Sequence, residues 1–253
     1  MEHVGKDGRR TVALPVTAPP PGELRNYEIV AEARGISARQ NGALSFVPAH
    51  RFTSPPAMDG KLDDWPELHA LPGTDGETAL SVGWGWDTGH LFLAVRVRDT
   101  VHYQRQKPFA TWQNDSLQIG IAPAQTEALV RPPNTGLQEA DYVELDAALK
   151  QGAALLYCHR TVNKHLAPPG SVSQQAVKRA FRHATGTTVY ELAIPTGQFG
   201  ANPLQAHQVI RAALLANDAD EEGGGIERRT TAWFDGIKRS KDPGKFGHVI
   251  LRP

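Results

Sequence analysis

One cysteine, Cys158, stands alone among 253 residues. No disulfide can form within the chain, so its fold must rest on packing. A single cysteine suits cytosolic proteins and many secreted bacterial ones, and leaves the compartment open. Methionine is nearly absent, with only Met1 and Met58. No run approaches the ~20 apolar residues of a membrane-spanning helix. Residues 1–20 are charged and proline-rich and lack the apolar centre of a secretion signal. A charge excess is missing too, since 27 lysines and arginines balance 27 aspartates and glutamates. Without a long-range positive field, nucleic acid is not an expected partner. The nearest basic cluster is Lys238, Arg239 and Lys241, too short to form a patch. The ten histidines show no zinc spacing, and no nucleophile elbow or phosphate loop occurs.

What is present is alternation. "ALSVGWGWD" sets Leu80, Val82, Trp84 and Trp86 on one face at period two. "HLFLAVRVRD" alternates Leu91, Leu93, Val95 and Val97 against Phe92, Ala94, Arg96 and Arg98. Asp87-Thr88-Gly89-His90 joins the two runs as a short hairpin connection. "DSLQIGIA", "DYVELDAAL", "AALLYCH", "VKRAFRHA", "VYELAIP", "VIRAALLAND", "TTAWFDG" and "FGHVILR" continue the pattern. Residues 125–136 and 167–171 read as loops, and a helical turn is expected around 197–199. Many short strands and 24 glycines predict an all-β fold, an antiparallel, jelly-roll-like β-sandwich with extra N-terminal strands. The expected core is Trp65, Trp84, Trp86, Leu93, Val95, Leu117, Ile119, Leu192, Ile194, Leu215 and Trp233.

Residues 1–50, with "RRTVALPV", "YEIVAEA" and "GALSFVPA", read as a separate strand segment. They are either edge strands or the tail of a preceding immunoglobulin-like domain, the second reading being preferred. Residues 51–253 form the expected sandwich. Near its start lies "DGKLDDWPE", residues 59–67. An EF-hand calcium loop needs an oxygen ligand at position 3 and glycine at 6. Lys61 and Asp64 stand there, so the match fails. Nothing separates the pKa values of Asp59, Asp63 and Asp64 as catalysis requires. The segment therefore reads as a corner in which Leu62 and Trp65 plug the core and the acids cap backbone amides.

Seven motifs occur in a fixed order: "MDGKLDDW", "VGWGWDTGHLFLAVRVRD", "TWQNDSLQIGI", "YELAIP", "LLANDAD", "AWFDGIK" and "KDPGKFGHVIL". In this series the chain resembles the family 9 carbohydrate-binding modules and their sugar-binding, cytochrome-domain-like relatives. The resemblance implies a non-catalytic β-sandwich that grips the end of a sugar chain between two tryptophans. It also implies calcium as a structural ion, attachment to a larger multidomain protein, and an extracellular or periplasmic location. Haem-binding relatives use axial ligands such as methionine, and Met58 lies in the corner motif, so haem is not expected.

Carried over by residue, the resemblance puts one clamp tryptophan at Trp112, where a pyranose face would stack on the ring. The second clamp position holds Ser240. Gln118 stands where a hydroxyl-binding glutamate is expected. The arginine expected on "DYVELD" is missing, with Val143 and Glu144 in its place. The expected sugar contacts are Trp112, Asn114, Gln118, Arg98 and Lys238, with a structural role for Asn114 and solvent exposure for Arg98 as alternatives. For metal, "NDADEEGGG" puts Asp218, Asp220 and Glu222 at positions 1, 3 and 5 and Gly223 at 6, but Arg229 occupies position 12. This is half a calcium loop or an acidic glycine-rich turn. Glu139, Asp141, Glu144 and Asp146 form a second acidic group. Polysaccharide or oligosaccharide is the expected partner. The alternatives are a structural domain with a lost sugar site, or a hydrolase using Glu144, Asp146 or Glu191.

Overall fold

The computed structural model describes residues 25–33, 36–44, 46–71, 78–123, 142–162, 168–200, 203–222, 225–234, 236–238 and 241–253. "RRTVALPV", the whole 125–136 loop, Glu139, Asp141, Gly223 and Ser240 lie outside them. Among the described residues, β1 (Arg25–Ala33) and β2 (Ile36–Leu44) pair only with each other, as an antiparallel hairpin.

The other described strands are β3 (Phe46–Arg51), β4 (His69–Ala70), β5 (Leu80–Trp86), β6 (His90–Arg98), β7 (Ser116–Pro123), β8 (Val143–Lys150), β9 (Ala153–Arg160), β10 (Gly170–Ser171), β11 (Lys178–Ala184), β12 (Thr187–Pro195), β13 (Val209–Glu222), β14 (Gly225–Trp233) and β15 (Gly247–Leu251). They form one sheet in the order β10-β9-β8-β7-β13-β15-β3-β5-β6-β12-β11, with β14 beside β13 and β4 beside β5.

The all-β expectation holds, and the expectation of a wholly antiparallel sheet is corrected. β3 runs parallel to both β15 and β5, so the sheet is mixed. A short antiparallel hairpin cannot make such a pairing, because parallel neighbours need long crossovers. Residues 46–50, read from sequence as part of the N-terminal segment, lie in β3, which pairs with β15 through Phe46–Ala49 and with β5 through Ala49–Arg51.

The sheet curls so that β11 lies against β8 and β9. Its inner face encloses one continuous core containing Trp84, Trp86, Leu93, Leu117, Ile119, Leu145, Leu192 and Leu214. All eleven residues expected in the core are buried. Arg179 ties the curl with a half-buried guanidinium that donates to the carbonyls of Ala154, Val172, Ser173 and Val177 at 2.9–3.1 Å.

The corner sits on the outer face of β5, β6 and β12. Gly83 and Gly85 alternate with the core tryptophans and so face outward. A Cβ at Gly85 would lie 2.2 Å from the Phe52 ring, and one at Gly83 would lie 3.0 Å from Trp65. These glycines admit aromatics of the chain's own corner, which form a second apolar layer with Phe92, Ala94 and Ala193. The acids act as expected. Asp59 accepts the Lys61 amide, and Asp64 accepts the Ala57 amide.

Candidate functional site

The outer face of β9-β8-β7-β13 carries a groove of about 710 Å³. Its position follows from period-two alternation. Leu117, Ile119 and Ile121 of β7 enter the core, so Gln118 and Gly120 face outward. In register, Gly120 lies opposite Glu144, and Gln118 lies opposite Asp146 and Leu215. Gln118, Glu144, Leu215, Trp112, His159, Arg160, Thr230, Ile237, Lys238 and Lys241 line the groove.

Trp112 comes from a 3₁₀ turn, Pro108–Gln113, that precedes β7. Pro108 starts the turn with its φ already set. Thr111 faces down and donates its hydroxyl to Asp146 at 2.7 Å. Trp112 is left half-buried at the groove wall.

Glu144 organises the floor. Its side chain is 2% exposed. Gln118 Nε2 donates to it at 3.3 Å, the Tyr142 hydroxyl at 3.1 Å, and Arg160 Nε lies 3.3 Å from its Oε2. The Lys241 ammonium also donates to it. A carboxylate this buried is stable only with such donors.

The arginine expected on "DYVELD" is absent from that strand, and Arg160 of the neighbouring β9 pairs with Glu144. Glu144 pairs with Arg160 while Leu145 pairs with Cys158, so β9 carries one extra residue at that point. This bulge brings consecutive residues His159 and Arg160 to the same groove, which strict alternation forbids. No signal in "LLYCHR" marks a bulge, so sequence reading missed both. Tyr142 and Lys241 were missed as well.

The apolar side of the floor is the "DPGKFG" element. Phe246 packs on Gly120 and Gly236 and meets Tyr142 edge-on, with ring centroids 5.3 Å apart. With Ile237, Leu215, Ala213 and Ala122 they form a small outer cluster.

Of the expected sugar contacts, Trp112, Gln118 and Lys238 are brought together. Asn114 is not. It is buried, accepts the Arg105 amide at 3.2 Å and donates to the Gln113 carbonyl. Arg98 is exposed at the end of β6 and does not line the groove. Glu144 and Asp146 are buried rather than water-facing. Burial pushes the Cys158 thiol up to about 11, so it is no nucleophile.

The acidic segment "NDADEE" is not a loop. It forms the end of β13, and its strand geometry separates alternate carboxylates. Asp218 instead meets Asp99 and Asp115, with one oxygen of each lying within 4.8 Å of the others. Asp220 stays outside that group, and the Glu222 side chain lies outside the described residues. Asp99 Oδ1 is buried with no hydrogen-bond donor beside it among the described residues. Burial pushes the Asp115 carboxyl up to about 7, with amides of Tyr103 and Ala219 pulling it back and Asp99 repelling it. Burial also pushes Asp99 up, but hydrogen bonds from His102 and Thr188 outweigh it and hold Asp99 below its usual range. His102 stacks on His183, with ring centroids 5.2 Å apart. Clustered oxygens with an orphaned acceptor suit a hard divalent cation.

A family profile described as "Carbohydrate family 9 binding domain-like" matches residues 75–253. The chain belongs to this family. Its fold is similar to that of a family 9 carbohydrate binding module from Caldicellulosiruptor kristjanssonii in complex with glucose. That match has 15% identity and a TM-score of 0.60, and covers 82% of this chain and 96% of the other. The same organism's module in complex with cellotriose matches at 16% identity and TM-score 0.60, covering 82% and 94%. No curated protein matches the chain significantly. The groove beside Trp112 is concave and lined mainly by polar side chains.

Proposed function

We propose that the chain is a non-catalytic carbohydrate-binding domain whose groove beside Trp112 holds the end of a polysaccharide chain. The observation carrying this reading is the half-buried Trp112 standing over a floor of converging polar atoms from Gln118, Glu144 and Arg160. A pyranose has an apolar C–H face and an equatorial belt of hydroxyls. The indole suits the first, and fixed donors and acceptors suit the second. The solved relatives carry glucose and cellotriose.

Three observations support the non-catalytic part. Glu144 is tied into ion pairs with Arg160 and Lys241. Glu191, the third acid considered for hydrolysis, is wholly buried under the corner. Glycoside hydrolysis needs two carboxyls across a cleft, and Glu144 is the only carboxylate lining this groove among the described residues. In this reading the domain targets a larger polysaccharide-active or cell-surface protein to its glycan, outside the cytoplasm. Calcium, expected as a structural ion, would be held by Asp99, Asp115 and Asp218. It would neutralise their mutual repulsion and bind β6, β7 and β13 together.

A binding screen against soluble and insoluble polysaccharides tests the assignment, with Trp112→Ala as the control. Saturable binding that the variant loses is expected. Binding that survives Trp112→Ala, or silence from the folded protein across the screen, would overturn it and leave a structural domain.

A further inference from the structure

The groove is not neutral, although the chain is. Arg160, Lys238 and Lys241 line it against a single lining carboxylate, Glu144. Asp146 lies beneath the floor, 3.6 Å from His159 Nε2. Counting it, cations still exceed carboxylates. Asp242 does not line the groove, and its charge acts on both Tyr142 and Arg211. Because the formal charge of the whole chain is zero, this surplus is a local feature rather than a reflection of a basic protein.

The cations are also arranged for use. Glu144 takes Arg160 through Nε and Lys241 through one N–H, on different oxygens. The guanidinium's two terminal nitrogens make no hydrogen bond among the described residues, and its carbon sits 5.9 Å from the Tyr142 ring centroid. Glu144 and Tyr142 thus hold a planar fork whose outer edge meets no acceptor among the described residues. Such a fork matches the two oxygens of a carboxylate. Lys238 is exposed, donates to the Thr230 hydroxyl and meets no carboxylate among the described residues. In sequence, Lys238 and Lys241 flank Ser240, the position where the resemblance places the second clamp tryptophan.

From this arrangement, we infer that the groove selects a glycan end bearing an anionic group, with the carboxylate of a uronic acid as the best fit. The inference rests on the sugar-binding reading. Trp112 stacks the sugar ring, and the Arg160 fork with Lys238 and Lys241 takes its acid. Ion pairing then replaces the second stacking contact.

The test is calorimetric titration of the full chain with matched oligosaccharides at low and high salt. One set ends in a uronic acid, a second is the same set with that carboxyl reduced to the alcohol, and a third carries a sulfate ester. The uronic set should bind roughly tenfold tighter than its reduced counterpart, and added salt should shrink the gap. Lys238→Met touches no buried carboxylate and should preserve the fold while cutting the preference several-fold. Arg160→Lys, its folding checked by circular dichroism, should cut it further, because an ammonium cannot form the fork. Tighter binding of the sulfated set would keep the anionic selection and move its source to a sulfate. Equal binding of acidic and reduced sets would overturn the inference while leaving the sugar site standing. Acid binding that persists in Trp112→Ala and is matched by polyglutamate would overturn it as mere charge attraction. Silence toward all three sets, together with a silent polysaccharide screen, would overturn the sugar reading itself.

Discussion

The Trp65 indole nitrogen donates to Glu191 Oε1 at 2.9 Å, joining residues 126 positions apart beneath a lid of the chain's own corner. The other Glu191 oxygen accepts the amides of Gly60 at 2.6 Å and Asp59 at 3.2 Å. A positive φ at Gly60 aims its amide inward, and Arg182 leaves no room for a Cβ there. An acid on β12 therefore fixes the turn that opens the main body.

Replacing Glu191 with alanine strands three donors, of which the Gly60 amide and the indole N–H are buried. Each buried orphan costs about 1–3 kcal/mol. We expect Glu191→Ala to lower unfolding stability by about 3 kcal/mol or more, read by urea denaturation. Sugar binding should be unchanged, because the corner packs on β12 and the groove lies on β7 and β8. A loss below 1 kcal/mol would mean that water reaches these donors.

The same carboxyl predicts a pH dependence. Burial raises the Glu191 pKa, against the lowering effects of Trp65 and the Gly60 and Asp59 amides, while Asp64 raises it further. A folded-state pKa above the unfolded value means that the unfolded chain releases this proton first. The contribution is full below the ordinary glutamate pKa and is lost as pH climbs through the raised one. The stability difference between wild type and Glu191→Gln should therefore shrink as pH rises from about 4 toward neutrality. A difference that widens over that range would contradict the raised pKa.

The strands and the core were legible because alternation is a local property. "VGWGWD" and "HLFLAVRVRD" declare their faces residue by residue, and the tryptophans of both core and corner are buried as read. Three things were not legible. The parallel pairing of β3 depends on strands about 35 and 200 residues downstream, and nothing in "FVPAHR" names them. The bulge that delivers Arg160 is a register event between two strands, which no single stretch of sequence declares. The acidic run of β13 copied the spacing of a calcium loop, yet those residues were paying into a hairpin ladder with β14. Asp218 finds its carboxylate partners across strands, which linear spacing cannot reveal.

Gly120 connects packing to the groove. A Cβ there would come within 2.5 Å of Phe246 Cζ and 3.3 Å of Ile237 Cγ1. Phe246 can yield only by pressing on Tyr142, whose hydroxyl holds Glu144. Gly120→Ala should cost about 1–3 kcal/mol in urea unfolding. It should also weaken sugar binding several-fold at temperatures where the variant is fully folded. Full affinity in the folded variant would show that Phe246 moves without disturbing the floor.

The carboxylate cluster makes the last prediction, and two variants separate its ligands from those the linear spacing suggests. Asp99, Asp115 and Asp218 are all at least nine-tenths buried, and three like charges at this spacing oppose folding unless something neutralises them. An ion that binds the folded chain alone stabilises it by mass action, by about 2.7 kcal/mol at a hundredfold excess over its dissociation constant. Calcium added to chelator-treated protein should raise the thermal midpoint. Asp99→Asn keeps the shape and removes one charge, and should abolish most of that rise. Asp220→Asn should leave it intact, because Asp220 stays outside the group. The reverse pattern, a rise in Asp99→Asn and none in Asp220→Asn, would put the ion along β13 with Asp218, Asp220 and Glu222. Absence of any rise in the wild type would mean that the three acids share protons instead, with Asp115 carrying one near neutrality, as its raised pKa permits.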